Sequence, residues 1–419
     1  MRFFRVTPRN PRPRRRRLVV AAVVAVLLPA LFVAREVVDV RRLGTPVRQV
    51  TSTAAPPAPL VPGDTGVRWT VKADGRISDA EVLPKLGLVI YVEHVAQRSW
   101  RASALDAHTG TLRWSHTRSR TDRIEAWAVT DAAVVLAYHH SDSRLAWRTH
   151  KGASLVGLDP LSGKVLWVRH VYTLRGERPG DYAPTLASPS ENVVYARTEF
   201  GVPNAIDTET GETLWEHPGL NDCRAHEIVA GPAGVAMSQR CPRGRERIFL
   251  LDPRTGETRW KLVINTPSLR LLAVGSDSVV LYQGGMVEQV IALGPTGGFV
   301  SQTPCACGDG ESLQAGVAGE TVLVGGGPFG LLGVDGTTGA VRWQRPVDGG
   351  PVHRVLTHDG DAHIVGGDGA LIRVDPADGA GRVLVPGTGG ELDPAAIVAP
   401  AGGYLAAGSA RGFAFTALR

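Results

Sequence analysis

The chain has 419 residues, with 50 Gly and 29 Pro, 43% hydrophobic and only 21% charged residues, a profile suited to many short strands joined by tight turns and long enough for a large core. A net charge of +6 and a pI near 9.3 raise the question of a nucleic-acid or anionic-membrane partner. Residues 1–60, however, carry 12 Arg against only Glu36 and Asp39, which leaves the rest at −4 and excludes a basic nucleic-acid surface spread over the main body.

Residues 1–17 form a basic segment in which Arg2, Arg5, Arg9, Arg12 and the run Arg14 to Arg17 precede an uncharged apolar stretch from Leu18 to Ala34. Seventeen residues of helix span about 25 Å against a hydrocarbon core of roughly 30 Å, and Val37 and Val38 add to it. Residues 18–38 therefore read as a transmembrane helix or signal anchor, with its basic flank in the cytoplasm and everything after it outside. Pro29 also fits the end of a cleaved signal peptide, but Phe32-Val33-Ala34 runs straight into Arg35 without a small-residue cleavage site. Residues 39–65, rich in Pro, Ala and Thr (Pro46, Pro56, Pro57, Pro59, Pro62), read as an extended stalk.

From residue 66 to 419 one phrase recurs: apolar residues, Asp, three residues, Gly, three residues, Trp. Its copies are Asp106, Gly110, Trp114; Asp159, Gly163, Trp167; Asp207, Gly211, Trp215; Asp252, Gly256, Trp260; and Asp335, Gly339, Trp343. Two degenerate copies carry Gly294 for Asp with Gln302 for Trp, and Asp375 and Gly379 with Val383 for Trp. The Asp positions are separated by 53, 48, 45, 42, 41 and 40 residues.

Each phrase reads as a hairpin, the Asp bonding turn N–H groups and the Gly taking a positive φ. Two further strands precede each hairpin, which makes a four-stranded propeller blade whose Trp packs against the neighbouring blade. After the seventh unit, AAIVAP, GYLAAGS and GFAFTAL lack a Trp strand, and GVRWTVK, with Trp69, lacks the strands before it. Together they make a composite blade, so the expectation is an all-β propeller of eight blades closed by an N-terminal strand, with seven as the alternative count.

The longest interval, between Asp106 and Asp159, holds His139, His140, Asp142, Trp147, Arg148 and His150. It reads as a polar loop between strands, with a metal-binding loop as the other reading; His139, His140, Trp147 and Arg148 are candidates for partner contact. Cys223 and Cys241 flank an apolar run and can staple strand ends, or be two unrelated thiols. Cys305 and Cys307 can close a small ring or each pair elsewhere. No phosphate loop, nucleophile elbow, His-Glu-x-x-His or paired-cysteine metal site is present in the sequence.

The Ala-Leu-Asp-x-x-Thr-Gly-x-x-x-Trp phrase at this period resembles the pyrroloquinoline-quinone-type (PQQ-like) β-propeller repeat. That repeat builds quinoprotein dehydrogenases and also the lipoprotein of the outer-membrane β-barrel assembly machinery. The dehydrogenases imply a calcium site of Glu, Asn and Asp, a catalytic Asp and adjacent cysteines; here the nearest pair is Cys305 and Cys307, and about 350 residues leave little room for the insertions that build such a site. The resemblance to the assembly lipoprotein implies a non-enzymatic scaffold, although no lipid-attachment Cys lies near the apolar segment. The expectation is therefore a membrane-anchored propeller outside the cytoplasmic membrane that binds an envelope protein or cell-wall ligand, with no cofactor, metal or nucleic acid. A ligand-sensor module and a quinone-dependent dehydrogenase are the alternatives.

Overall fold

The computed structural model describes residues 48–417, apart from segments 62–67, 96–98, 119–121, 141–151, 173–185, 191, 198–202, 218–222, 243–244, 266–268, 286–287, 306, 308–311, 327–329, 348–349, 359, 386–396, 402–403 and 410–411. The expected membrane helix at 18–38 lies outside the described residues. Among the described residues no helix is long and apolar enough to cross a membrane; apart from the 3-10 turn Pro84–Leu86, all regular structure is strand.

Eight antiparallel sheets follow one another along the chain. Blade 1 comprises Gly75–Leu83, Leu88–Val95, Ser99–Asp106 and Leu112–Thr117; blade 2, Asp122–Val129, Val134–His140, Gly152–Leu158 and Val165–Tyr172. Blade 3 comprises Leu186–Ser190, Val193–Arg197, Pro203–Asp207 and Thr213–Glu216; blade 4, Arg224–Gly231, Gly234–Cys241, Arg245–Leu251 and Thr258–Ile264. In blade 5 the strands are Leu269–Val274, Val279–Gln283, Gln289–Leu293 and Phe299–Pro304; in blade 6, Gln314–Ala318, Thr321–Gly326, Gly330–Asp335 and Val341–Arg345. Blade 7 runs through Val352–His358, Asp361–Gly366, Leu371–Val374 and Gly381–Val385. Blade 8 takes Ile397–Ala401, Tyr404–Ser409 and Gly412–Ala417 from the C-terminal end and Arg68–Val71 from the N-terminal side, with Trp69 opposite Phe415.

The first strand of each blade is innermost and packs against the first strands of its neighbours, blade 8 meeting blade 1. Second strands such as Val134–His140 and Val279–Gln283 are near-continuous apolar runs because blades cover both their faces. Outer strands are half-exposed, with Leu112, Leu166, Leu214 and Val341 facing solvent.

The repeat residues hold the blades together. The motif glycines take φ between 69° and 80°, and their amides bond the carbonyl of the motif Asp. Asp Oδ1 accepts the backbone N–H groups two or three residues on, from His108 and Thr109 at Asp106, Glu209 and Thr210 at Asp207, Arg254 and Thr255 at Asp252, and Thr337 and Thr338 at Asp335. Asp159 accepts from Ser162 and Asp375 from Ala377.

Six of the turns then receive the Trp of the preceding blade. Trp114 is fully buried, and a Cβ on Gly163 would stand 2.6 Å from its ring, so the glycine is required for the close approach as well as for the turn. Trp69, Trp167, Trp215, Trp260 and Trp343 meet Gly110, Gly211, Gly256, Gly297 and Gly379 in the same way. Indole Nε1 groups cross five of the seams to a turn carbonyl: Trp69 to Ala107, Trp114 to Pro160, Trp167 to Thr208, Trp215 to Pro253 and Trp343 to Pro376, at 2.6–3.0 Å.

Blade 5 departs from this plan, and the difference corrects one assignment. Its turn closes in a tighter ring, from the Gly297 amide to the Gly294 carbonyl. Register therefore puts Ser301, not Gln302, opposite Ala292 at the position that Trp occupies elsewhere. Ser301 Oγ donates to the Gly339 carbonyl at 2.8 Å in place of an indole. Trp260, facing the shortened turn, has no hydrogen-bond partner for Nε1 among the described residues.

A second correction concerns the expected stalk. Arg48–Thr51 pairs antiparallel with Leu112–Thr117 as a fifth strand of blade 1, with Thr51 opposite Trp114. Gln49 and Thr51 side chains donate to the carbonyls of Gly163 and Ser162 in blade 2. The chain then crosses the edge of blade 1, where the Arg113 guanidinium donates to the Ala54 and Ala55 carbonyls and the Leu60 amide to Pro84. Leu60 is buried in the cluster that Ile77, Val89 and Leu105 form with Trp69. Pro, Ala and Thr composition disfavours self-packing, but it does not prevent an extended segment from being captured by a sheet edge.

Candidate interaction surface

The strand directions give the ring two unlike faces. On one, the turn face, first and second strands are joined by two or four residues, and third and outer strands by five or six, including every motif turn. On the other, the loop face, second strands pass to third strands and each blade passes to the next through connections of two to thirteen residues, the longest being 141–151, 173–185 and 386–396.

Two of the residues expected to contact a partner, His139 and His140, border the loop face. His139 and His140 end the second strand of blade 2, where their backbones pair with Arg123 and Asp122. Trp147 and Arg148 lie outside the described residues, as do Asp142 and His150. Both cysteine pairs are bonded and also border this face. Cys223 joins Cys241 across the start of blade 4. Cys305 joins Cys307 directly after blade 5, where both amides bond Glu288, the Cys307 amide through Oε2.

The start of the inner strands forms the mouth of the ring on the loop face. Sequence reasoning missed this region because no motif marks it. In blades 1, 2, 4, 5 and 7 one residue bulges from the inner strand near this end: Ser78, Glu125, His226, Leu272 and His353. Such bulges re-aim the side chains beside them. Arg76, Arg123, Arg224 and Arg270 stand at the first or second position of their strands, and Arg354 at the third.

The carboxylates nearby are engaged by the protein's own donors. Asp79 Oδ2 accepts from Trp127 Nε1 at 2.9 Å, bridging blades 1 and 2. Glu227 Oε2 accepts the Leu271 amide at 2.6 Å, bridging blades 4 and 5, and burial raises its pKa. Glu125 lies 3.5 Å from Arg123. Deeper in the wall, burial and then the neighbouring Asp79 charge push Glu81 up to about 7. In contrast, Arg76 and Arg354 make no salt bridge among the described residues, and Arg76 and His353 are exposed.

Away from the mouth, the seam between blades 1 and 2 buries His116 beside Tyr138 and the Arg118 guanidinium. Burial, then the Arg118 charge, lowers His116 to about 4, which keeps its ring neutral. No group of three His, Cys, Asp or Glu among the described residues is placed to hold a metal ion.

Comparison with known proteins follows the same lines. The ring of a computationally designed protein, Ika8, matches with a TM-score of 0.54 at 15% identity, over 84% of this chain and all of that one. The C-terminal WD40 domain of Sif2 matches with a TM-score of 0.53 at 13% identity, over 85% of this chain and all of that one. BamB from Moraxella catarrhalis matches with a TM-score of 0.46 at 15% identity, covering 78% of this chain and 96% of that one. The first two likenesses show the fold alone. No curated protein matches the sequence. A family model described as outer membrane protein assembly factor BamB matches residues 60–262 and 244–412, spanning nearly the whole ring. The chain thus belongs to the BamB family of PQQ-like repeat propellers.

Proposed function

We propose that the protein is a non-catalytic, protein-binding scaffold, anchored in the cytoplasmic membrane by residues 18–38, with the propeller outside and its loop face turned to an envelope partner. Membership of the BamB family supports protein binding in general. The observation that carries the reading is the contrast in connection length: two to six residues at the turn face, two to thirteen at the loop face. A fixed frame with variation gathered on one side is how recognition surfaces are built. The arginine-rich flank before Leu18 supports the membrane orientation.

The test is affinity purification of the tagged full-length chain from solubilised membranes, beside a form in which residues 141–151 are replaced by a short Gly-Ser linker. One envelope protein retained by the first and lost by the second is the expected result. Retention of no protein, together with calcium-dependent quinone binding in an absorbance titration, would replace the scaffold by an enzyme.

A further inference from the structure

The charge at the mouth of the ring narrows what that partner offers. Residues 61–419 together carry a negative balance, yet the inner strands of blades 1, 2, 4, 5 and 7 each carry an arginine within their first three residues. The described carboxylates among them do not cancel that charge in full: Asp79 is held by Trp127, Glu227 accepts the Leu271 amide and faces Arg270, and Glu125 faces Arg123. Arg76, exposed, and Arg354, half-buried, are left without a carboxylate among the described residues, and His353 stands exposed beside Arg354. Guanidinium groups grouped at an aperture bind carboxylates in bidentate fashion, and a concave mouth concentrates their field.

From this arrangement we infer that the mouth of the ring on the loop face binds an acidic segment of a protein partner, its Asp or Glu side chains pairing with Arg76, Arg123 and Arg354. The inference rests on the protein-binding reading above and names the chemistry of the partner. A continuous polyanion fits less well. The carboxyl groups of Asp79, Glu125 and Glu227 stand among the arginines of the wall, and the ring as a whole is net negative, so an unbroken phosphate chain is less well matched there. A peptide can place carboxylates where the arginines are and neutral residues between them. Half-buried Trp127, its indole anchored to Asp79, gives such neutral residues an apolar neighbour.

The test uses the full-length protein in detergent and a fluorescein-labelled peptide of about twelve residues alternating Glu with Ala and Val, read by fluorescence anisotropy; the length is set by roughly 3.3 Å per extended residue. Its Glu-to-Gln counterpart and inorganic polyphosphate serve as comparison ligands. The expected result is binding of the Glu peptide alone, weakened about tenfold or more by the combined change Arg76→Gln, Arg123→Gln and Arg354→Gln, and weakened by added salt. A control with Lys164→Gln, Arg254→Gln and Arg382→Gln, which removes as much charge away from the mouth, is expected to bind like the parent protein.

No binding of the Glu peptide, equal binding of its Gln counterpart, or equal loss in both triple variants overturns the inference. Displacement of the peptide by polyphosphate at lower charge concentration overturns it in favour of a phosphate polymer. Any of these leaves the scaffold reading standing if the full-length chain still retains its envelope protein from membranes; loss of that retained protein while the peptide still binds overturns the scaffold reading instead.

Discussion

The two faces of the ring solve different problems with the same strands. At the turn face, Asp, Gly and Trp recur at fixed offsets, and each side chain completes a contact that its own blade cannot make alone: Asp ties the turn, Gly opens room, and the indole of the preceding blade fills it. At the loop face the inner strands carry arginines near their starts, of which Arg76 and Arg354 hold no carboxylate among the described residues, and the connections share neither length nor composition. Stability is thus concentrated where sequence repeats, and the capacity to bind where it does not. Substitutions should therefore fall into two classes according to face.

The largest effect is expected for Trp114→Ala. The side chain is fully buried against blade 2, and its removal also loses the bond to the Pro160 carbonyl. Large-to-small replacement of a buried Trp costs about 3–5 kcal/mol, and denaturant unfolding followed by circular dichroism should show a loss of that size. Ser301→Ala, at the one seam where the Trp position holds a serine, should cost only about 1 kcal/mol, the value of a single hydrogen bond. Equal losses at the two sites would mean that the indoles do not carry the seams.

Glu81→Gln comes next and separates the ring's inner wall from both faces. Burial and Asp79 raise the Glu81 pKa to about 7, above its unfolded value. The carboxyl therefore favours the folded state when protonated; this contribution is complete below the unfolded pKa and is lost as pH rises through about 7. The Gln variant should be more stable than the parent at pH 8, by about 1–2 kcal/mol after allowance for solvent near this partly exposed group, and no more stable than it at pH 4. A pH-independent difference would contradict the assigned burial.

Asp335→Asn tests the turn face by titration in the opposite sense. The Thr338 amide, the Arg342 guanidinium and the Thr337 amide hold its carboxylate down at about 2. A depressed folded pKa contributes stability above the unfolded value that is lost as pH falls from about 4 toward 2. The variant should be less stable by about 1 kcal/mol near neutrality, the two proteins converging at pH 2 in thermal melts.

How much of this was legible in the sequence divides along the same line. The motif turns, the Trp seams and closure through Trp69 could be read because each rests on local chemistry repeated at a steady spacing. Ser301 was misplaced by one residue because turn length is set by backbone hydrogen bonding, here from Gly297 to Gly294, which a fixed Asp-to-Trp offset does not detect. Residues 48–60 read as a stalk because composition reports what a segment does to itself, whereas Arg48–Thr51 is held by a sheet edge more than sixty residues away. The mouth was invisible for a related reason. Arg76, Arg123 and Arg354 share no motif and lie on the same face only because separate inner strands begin at the same end of one ring.

The smallest expected effect is the one that most sharpens the contrast. Replacing Arg76 and Arg354 by Gln removes two charges that hold no carboxylate among the described residues, so no buried partner is orphaned and no cavity opens. Surface changes of this kind stay within about 0.5 kcal/mol. At the turn face, by contrast, even the exposed pair formed by Arg342 belongs to a network with Asp335, Glu320 and Thr321. Arg342→Gln should therefore cost more than the Arg76 and Arg354 changes together, measured as a shift in the urea midpoint at constant slope. A mouth double variant as destabilised as Arg342→Gln would mean that those arginines are structural, and that the division between a frame that is stable and a mouth that is free to bind does not hold for this ring.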